Sequence, residues 1–364
     1  MPETSLKRSI LILFLFWLII AALYYASEFL IPIAFAGLLS MLLLPIVHKL
    51  EKKKIGRGIA VLLAVLLLIV IVAALIALLS WQVSGLADDL GQIGDRLKGI
   101  RASFQEMISA KFGISPEEQQ KILKEQQESG SGNMQGIATG IVSMIMASIV
   151  NVILVLVYIF LFLFFRNHLK KFILRLAPDD QQGEAKRIIH EASKVGQQYV
   201  TGLGMMIGIL WVLYGIGFSV VGVKNALFFA VLCGILEIIP FIGNVTGTAI
   251  TLLMVITQGG SSSMIIGVLV TYALVQFIQT YILEPLVVGA EVNINPLFTI
   301  LALVLGELLW GIPGMVLAIP LLGIIKVFCD HIPALQPYGF LIGENKKKEK
   351  KSGGIWKKLK DKVI

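Results

Sequence analysis

Between Gly234 and Asn244 the chain reads GILEIIPFIGN. A carboxylate, Glu237, is followed by a helix breaker, Pro240, and by Gly243 and Asn244, inside a long apolar run. A charged residue at the centre of a bilayer costs at least ~2.5–3.5 kcal/mol, so acids found there mark proton relays and ion pathways. Burial raises a carboxylate's pKa, which lets such an acid take up and release a proton. At an offset of 70 residues the pattern returns. Asn225-Ala-Leu-Phe228 matches Asn295-Pro-Leu-Phe298, Glu237 matches Glu307, and the break Pro240–Asn244 matches Trp310–Gly314, which contains Pro313 and Gly314. Glu237 and Glu307 are therefore the candidate proton- or cation-coupling residues. The competing reading is that each is a structural acid bonded to a neighbouring helix.

Polar residues elsewhere in the same third of the chain extend this chemistry. Thr271, Gln276, Gln279 and Thr280 interrupt an apolar segment, with Gln276 and Gln279 on one helix face. The stretch EPLVVGAEVNINP follows, carrying Glu284, Glu291, Asn293 and Asn295. Pro240, Gly243, Asn244, Gln276, Gln279, Glu284, Asn293, Asn295, Pro313 and Gly314 form a candidate solute pathway. For Glu291 an interfacial loop with ordinary turn residues is an equal reading. Other chemistry is absent from the sequence. There is no GxxxxGK[ST] loop for a nucleotide and no HExxH metal motif. His48, His168, His190 and His331 fall at segment ends or in polar sequence, and Cys233 and Cys329 are isolated packing residues. No enzyme activity, cofactor or resident metal is expected.

The elements that must position these residues are membrane helices. Of 364 residues 57% are hydrophobic and 15% charged, with a mean hydropathy of +0.86. Uncharged runs long enough to cross roughly 30 Å of hydrocarbon recur along the chain. Spans are expected at 10–26, 29–47, 59–83, 137–165, 202–221 and 264–283. The runs 226–257 and 297–328 each hold 32 residues, or about 48 Å as one helix, and both are broken near the centre. Folded back, each becomes a hairpin with arms of about 14 residues, or about 20 Å. The expected fold is all-α and polytopic, with about eight membrane segments, two of them Gly/Pro-broken hairpins related by an inverted internal repeat. Basic clusters at 48–57 and 166–175 are placed in the cytoplasm by the positive-inside rule, as are both termini. The net charge of +8 is thus a membrane-orientation and anionic-lipid signal, not one for nucleic acid.

The division is into spans 1–3 (1–83), an extracytoplasmic amphipathic segment (84–136), span 4 (137–165), a cytoplasmic amphipathic segment (166–200), a transport core (201–330) and a basic tail (331–364). In the second segment Leu86, Leu90, Ile93, Leu97, Ile100, Phe104 and Met107 form a heptad seam, which serves a subunit contact or packs against its own bundle. Gly204 and Gly208 form a GxxxG pair expected to bring helix backbones together. In the tail Ile355, Leu359 and Val363 lie among lysines on one face of a surface-lying helix.

Glu237-x-x-Pro240-x-x-Gly243-Asn244, with Glu284-Pro285, Gly289 and Asn293-x-Asn295-Pro296, resembles the autoinducer-2 exporter family of bacterial permease-like proteins. The likeness spans nearly the whole chain and includes Tyr199-x-x-Gly202 and the extramembrane segment after span three. It implies an inner-membrane transporter that exports a quorum-sensing furanone or exchanges sodium or lithium for protons. It also implies a homo-oligomer, up to a pentamer. The expected function is a secondary transporter coupled to protons or sodium that exports a small polar solute such as autoinducer-2. The alternatives are sodium(lithium)/proton antiport and, from another class, a scaffold or regulator without flux.

Overall fold

The computed structural model describes residues 3–80, 134–240, 242–288 and 293–344. The heptad seam, Gly289, Glu291 and the basic tail from residue 345 lie outside the described residues. The described chain is helical: α1 (Glu3–Tyr25), α2 (Ser27–Lys52), α3 (Arg57–Ser80), α4 (Met134–Leu176), α5 (Gln182–Val221), α6 (Ala226–Leu236), α7 (Ile242–Thr257), α8 (Ser262–Ile278) with a π-helical extension (Gln279–Val288), α9 (Pro296–His331) and α10 (Gln336–Ile342). Six helical stretches are long and apolar enough to cross a membrane, and shorter apolar helices accompany them. Their outward side chains are hydrophobic, including Ile10 to Phe16 on α1 and Leu62, Leu63, Leu66, Leu67 and Ile69 to Val72 on α3. Apolar surface of that extent is a lipid-facing surface. The molecule is a multi-pass membrane protein.

Helices α2, α3 and α4 pack together through Ala36, Leu43, Val47, Ala60, Val61, Ala64, Ile159 and Leu163. Small residues at 36, 60 and 64 let these helices approach closely without a large apolar driving force between them. At one end Arg166 of α4 pairs with Glu51 of α2 at 2.5 Å. Both basic clusters read from the sequence therefore sit at the same end of the molecule.

Helix α5 is the spine. Its 40 residues make about 60 Å, longer than a bilayer core is thick. The expected cytoplasmic segment and the span after residue 200 are joined in one continuous helix. That helix ends at Gly222, whose φ of 81° is the left-handed cap that glycine adopts without strain. The C-terminal half of α5 holds α6 and α8, both antiparallel to it. Gly215 faces Leu227 and Ala230 of α6, Gly234 of α6 lies on the Trp211 ring, and Gly267 of α8 abuts Val221.

Both long apolar runs fold back on themselves. Helix α7 returns antiparallel along α6. A Cβ on Gly247 would stand 3.2 Å from the Cα of Cys233, and one on Gly243 would strike the Leu236 carbonyl. Helix α9 reverses at Gly311, where φ is 61° and ψ is −142°. Its two arms then touch backbone to backbone at Gly306 and Gly314. The first hairpin has unequal arms of 11 and 16 residues rather than the expected 14 each. Its open end lies beside the C-terminus of α5, where Gly222 meets Met264. The open end of the second lies beside the N-terminal half of α5, where Val327 packs on Ile188 and Ala192. The two open ends thus lie at opposite ends of α5, and Ile239 at the tip of the first hairpin packs on Leu303, Met315 and Ala318 of the second.

The Gly204–Gly208 pair does not perform the packing expected of it. A Cβ at either position would meet nothing within 4 Å. The GxxxG pair that does pack is Gly243–Gly247. Gly311 and Gly204 thus predict opposite behaviour. The Gly311 conformation is one that only glycine adopts easily, and no neighbour crowds it, so Gly311→Ala should cost ~1–3 kcal/mol by backbone strain alone. Gly204→Ala should leave stability unchanged or raise it by up to ~1 kcal/mol. Thermal unfolding of both variants in detergent measures the contrast.

Candidate functional site

All six buried polar or charged side chains among the described residues belong to α6, α7, α8 and their caps: Glu237, Asn244, Thr248, Thr251, Thr271 and Gln279. The break between α6 and α7 explains Glu237 and Asn244. Glu237 caps the C-terminus of α6, and its carboxylate lies in the break itself rather than a turn ahead of it. Asn244 sits in the first turn of α7. Helix ends leave carbonyls on one side and N–H groups on the other without helical partners, so the break is polar on backbone grounds alone.

Side chains from α8 reach this break. Gln279 donates from Nε2 to Oε1 of Glu237 at 2.6 Å. Asn244 donates from Nδ2 to Oε1 of Gln276, and Gln276 donates from Nε2 to Thr280 at 3.2 Å. Gln279 is the residue at which α8 passes into its π-helical extension. Such turns are rare and recur at functional sites. Glu284, exposed further along that extension, is close enough to act electrostatically on Glu237.

Besides the donors Trp211 Nε1 and Arg57 Nε and Nη2, the hydrogen bonds leave acceptors at the break unpaired. Glu237 Oε2, Asn244 Oδ1 and Gln279 Oε1 are buried and accept no hydrogen bond among the described residues. All three are oxygen acceptors. Leaving such a buried atom unpaired costs ~1–3 kcal/mol each. Carboxylate and amide carbonyl oxygens are the type of ligand that suits a proton or a hard cation. Among the described residues no group of three or more His, Cys, Asp or Glu side chains is placed to hold a metal ion.

The structure brings together Glu237, Pro240, Gly243, Asn244, Gln276 and Gln279. Pro240 separates the two helices, and Gly243 allows the first turn of α7 to touch the end of α6. Glu284 lies near Glu237 and Gln279 on the exposed side of the extension, and the remaining candidates stand elsewhere. Glu307 is exposed on the first arm of α9 among Val304, Leu305 and Leu308, so its match to Glu237 in sequence is not a match in environment. Gly314 serves the contact between the arms of the second hairpin, and Pro313 begins the arm that carries it. Asn295 caps α9 by accepting from the Leu297 N–H at 3.0 Å, with Pro296 at the first helical position. Asn293 accepts the Glu344 N–H through its carbonyl. Thr248 and Thr251 are site neighbours that the sequence reading passed over. Their signal was the spacing Asn244, Thr248, Thr251, one helical face opposite α6, where Thr251 meets Cys233 at 3.7 Å.

A spine with two facing hairpins and an orphaned acceptor cluster between them defines a class: a helical membrane transporter built around broken segments. Residues 11–334 match the family described as AI-2E family transporter. The chain belongs to that family, whose members are transport proteins. It is 24% identical over 324 residues to "Putative transport protein YrrI" of Bacillus subtilis, covering 87% of this chain and 88% of that one. It is 23% identical over 341 residues to "Putative transport protein YhhT" of Escherichia coli, covering 92% and 94%.

The close approach at Gly243 yields a stability prediction. Gly243→Val would push the Leu236 carbonyl away and should cost ~1–3 kcal/mol as overpacking. Val245→Ala on the exposed face of the same turn should cost less. Unfolding midpoints in detergent compare the two.

Proposed function

We propose that this protein is a secondary transporter in which Glu237 exchanges a proton for a sodium ion. The observation that carries the reading is the trio of buried, unpartnered oxygens on Glu237, Asn244 and Gln279. With the carboxyl protonated the site has no negative charge to attract a cation. With it ionised, the carboxylate can attract a cation to which the amide oxygens of Asn244 and Gln279 would be further ligands. Proton and cation therefore compete for one group, which is the requirement for coupling their movements.

The position of the cluster supports transport rather than static binding. It lies at the tip of one hairpin, where that tip meets a hairpin entering from the other end. Shifting either against the spine would change which side the site faces. The basic clusters 48–57 and 166–175, joined by Arg166 and Glu51, support an orientation with that end and both termini in the cytoplasm of a bacterial inner membrane. Export of a small polar solute such as autoinducer-2 would use the same coupling, and the family description supports that cargo. Sodium or lithium exchange for protons without an organic cargo is the second reading, favoured by the all-acceptor character of the cluster. Assembly into a homo-oligomer follows from the resemblance alone.

The test is sodium-driven pH change in proteoliposomes holding the purified protein. Wild type should move protons when a sodium gradient is applied. Glu237→Gln should lose at least ~tenfold in rate, the effect of removing about 1.4 kcal/mol of coupling. Gln279→Leu should weaken it, and Glu307→Gln should keep it. Absence of sodium-linked proton movement in folded wild type would sink the coupling and direct the assay to autoinducer-2 efflux.

A further inference from the structure

We propose that the chain after α9 is a clip that closes the open end of the second hairpin, making that hairpin and α10 one closed unit. The arms of α9 are unequal. Ile312–His331 outruns Pro296–Trp310 by about five residues, or about 7.5 Å of helix, so the second arm overshoots the start of the first. The chain then turns through Pro333–Leu335, and α10 retraces the excess. It ends beside the residues that open the first arm.

There the two ends pair. Asn295 donates its N–H to the Ile342 carbonyl at 2.8 Å, and Glu344 donates its N–H to the Asn293 carbonyl at 3.0 Å. These bonds flank Ile294 and Gly343, which stand opposite each other as an antiparallel bridge. Asn293 has a φ of 40°, a left-handed conformation that asparagine adopts more readily than most residues. The two asparagines ahead of Pro296 thus have a joint task at the hairpin base. One accepts from the returning chain, and the other donates to it while capping α9.

The returning chain also lies against the second arm. A Cβ on Gly339 would stand 3.1 Å from the Asp330 backbone nitrogen, so α10 meets the last turn of α9 with no room for a side chain. Gly339 and Ile342 are the buried residues of α10. Lys326, paired with Asp330 at 2.5 Å, lies beside Gly343, where its Cε would meet an added Cβ at 3.2 Å. One segment grips both arms, the first by backbone pairing and the second by packing. Splaying the arms at the base would break both backbone bonds and uncover Ile342. A shift of the whole unit would break neither. The base also packs on its neighbours, with Ile324 beside Gly196 of α5 and Val327 on Ile188 and Ala192. Movement of the second hairpin is therefore movement of a closed body against the spine. The clip stands apart from the assignment of Glu237, which lies in the other hairpin.

The test is a distance measurement, so it does not depend on transport. Spin labels would be placed at Leu297→Cys and Phe328→Cys, exposed positions on the two arms, in full-length protein with Cys233 and Cys329 replaced by alanine. In lipid nanodiscs, with and without sodium, one inter-arm distance is expected. Glu344→Pro removes the N–H that Asn293 accepts. Gly343 before it already has the extended φ of −70° and ψ of 153° that a following proline requires. Gly339→Leu would lift α10 from Asp330 by a separate route. Each variant should add a longer inter-arm component, and either one doing so supports the clip. Two inter-arm distances in the unaltered clip, or a single unchanged distance in both variants, would overturn it.

Discussion

The hydrogen bond from Gln279 to Glu237 is the contact around which the rest of this structure is arranged. A carboxylate cannot be left in hydrocarbon without a partner, and among the described residues its hydrogen-bond partner is an amide rather than a basic side chain. The amide from α8 supplies one bond, enough to position one carboxylate oxygen and too little to satisfy the other. That half-satisfaction requires a break in the first hairpin to place the acid at its tip. It requires a π-helical turn to present the amide, and a spine to hold both elements in register.

The requirement propagates outward through glycine. Antiparallel arms joined by a tight break must lie close to each other. Gly243 and Gly247 bring α7 onto α6, and Gly306 with Gly314 closes the second hairpin. Gly311 makes the reversal in the second hairpin, whereas Pro240 interrupts the first. The two hairpins thus reach similar shapes by different local chemistry, which is why aligned sequence positions do not have aligned environments.

Much of this was legible in the chain. An acid beside proline and glycine in apolar sequence marks a broken segment, because backbone groups freed at membrane depth must face protein or water. Gln276 and Gln279 declared a shared face by their spacing, and the fold turns that face onto the break. What stayed hidden depends on which face of a helix meets a neighbour. Gly204–Gly208 and Gly243–Gly247 are the same motif, yet only the second has a backbone beside it. Glu237 and Glu307 are alike in sequence, yet one is buried by α8 and the other lies on an outer surface. Asn295 was read as pathway chemistry, although Asn-Pro at the head of an apolar run is a helix-start signal that periodicity alone explains.

The claim at the centre is that proton and cation share Glu237. The most direct measurement is proton release when sodium is added to the purified protein in weakly buffered detergent solution, with no membrane gradient and no cargo. Sodium should expel protons from wild type and from Glu307→Gln, and should expel none from Glu237→Gln. Proton release from Glu237→Gln equal to wild type would contradict the account, because the competing group would then lie elsewhere.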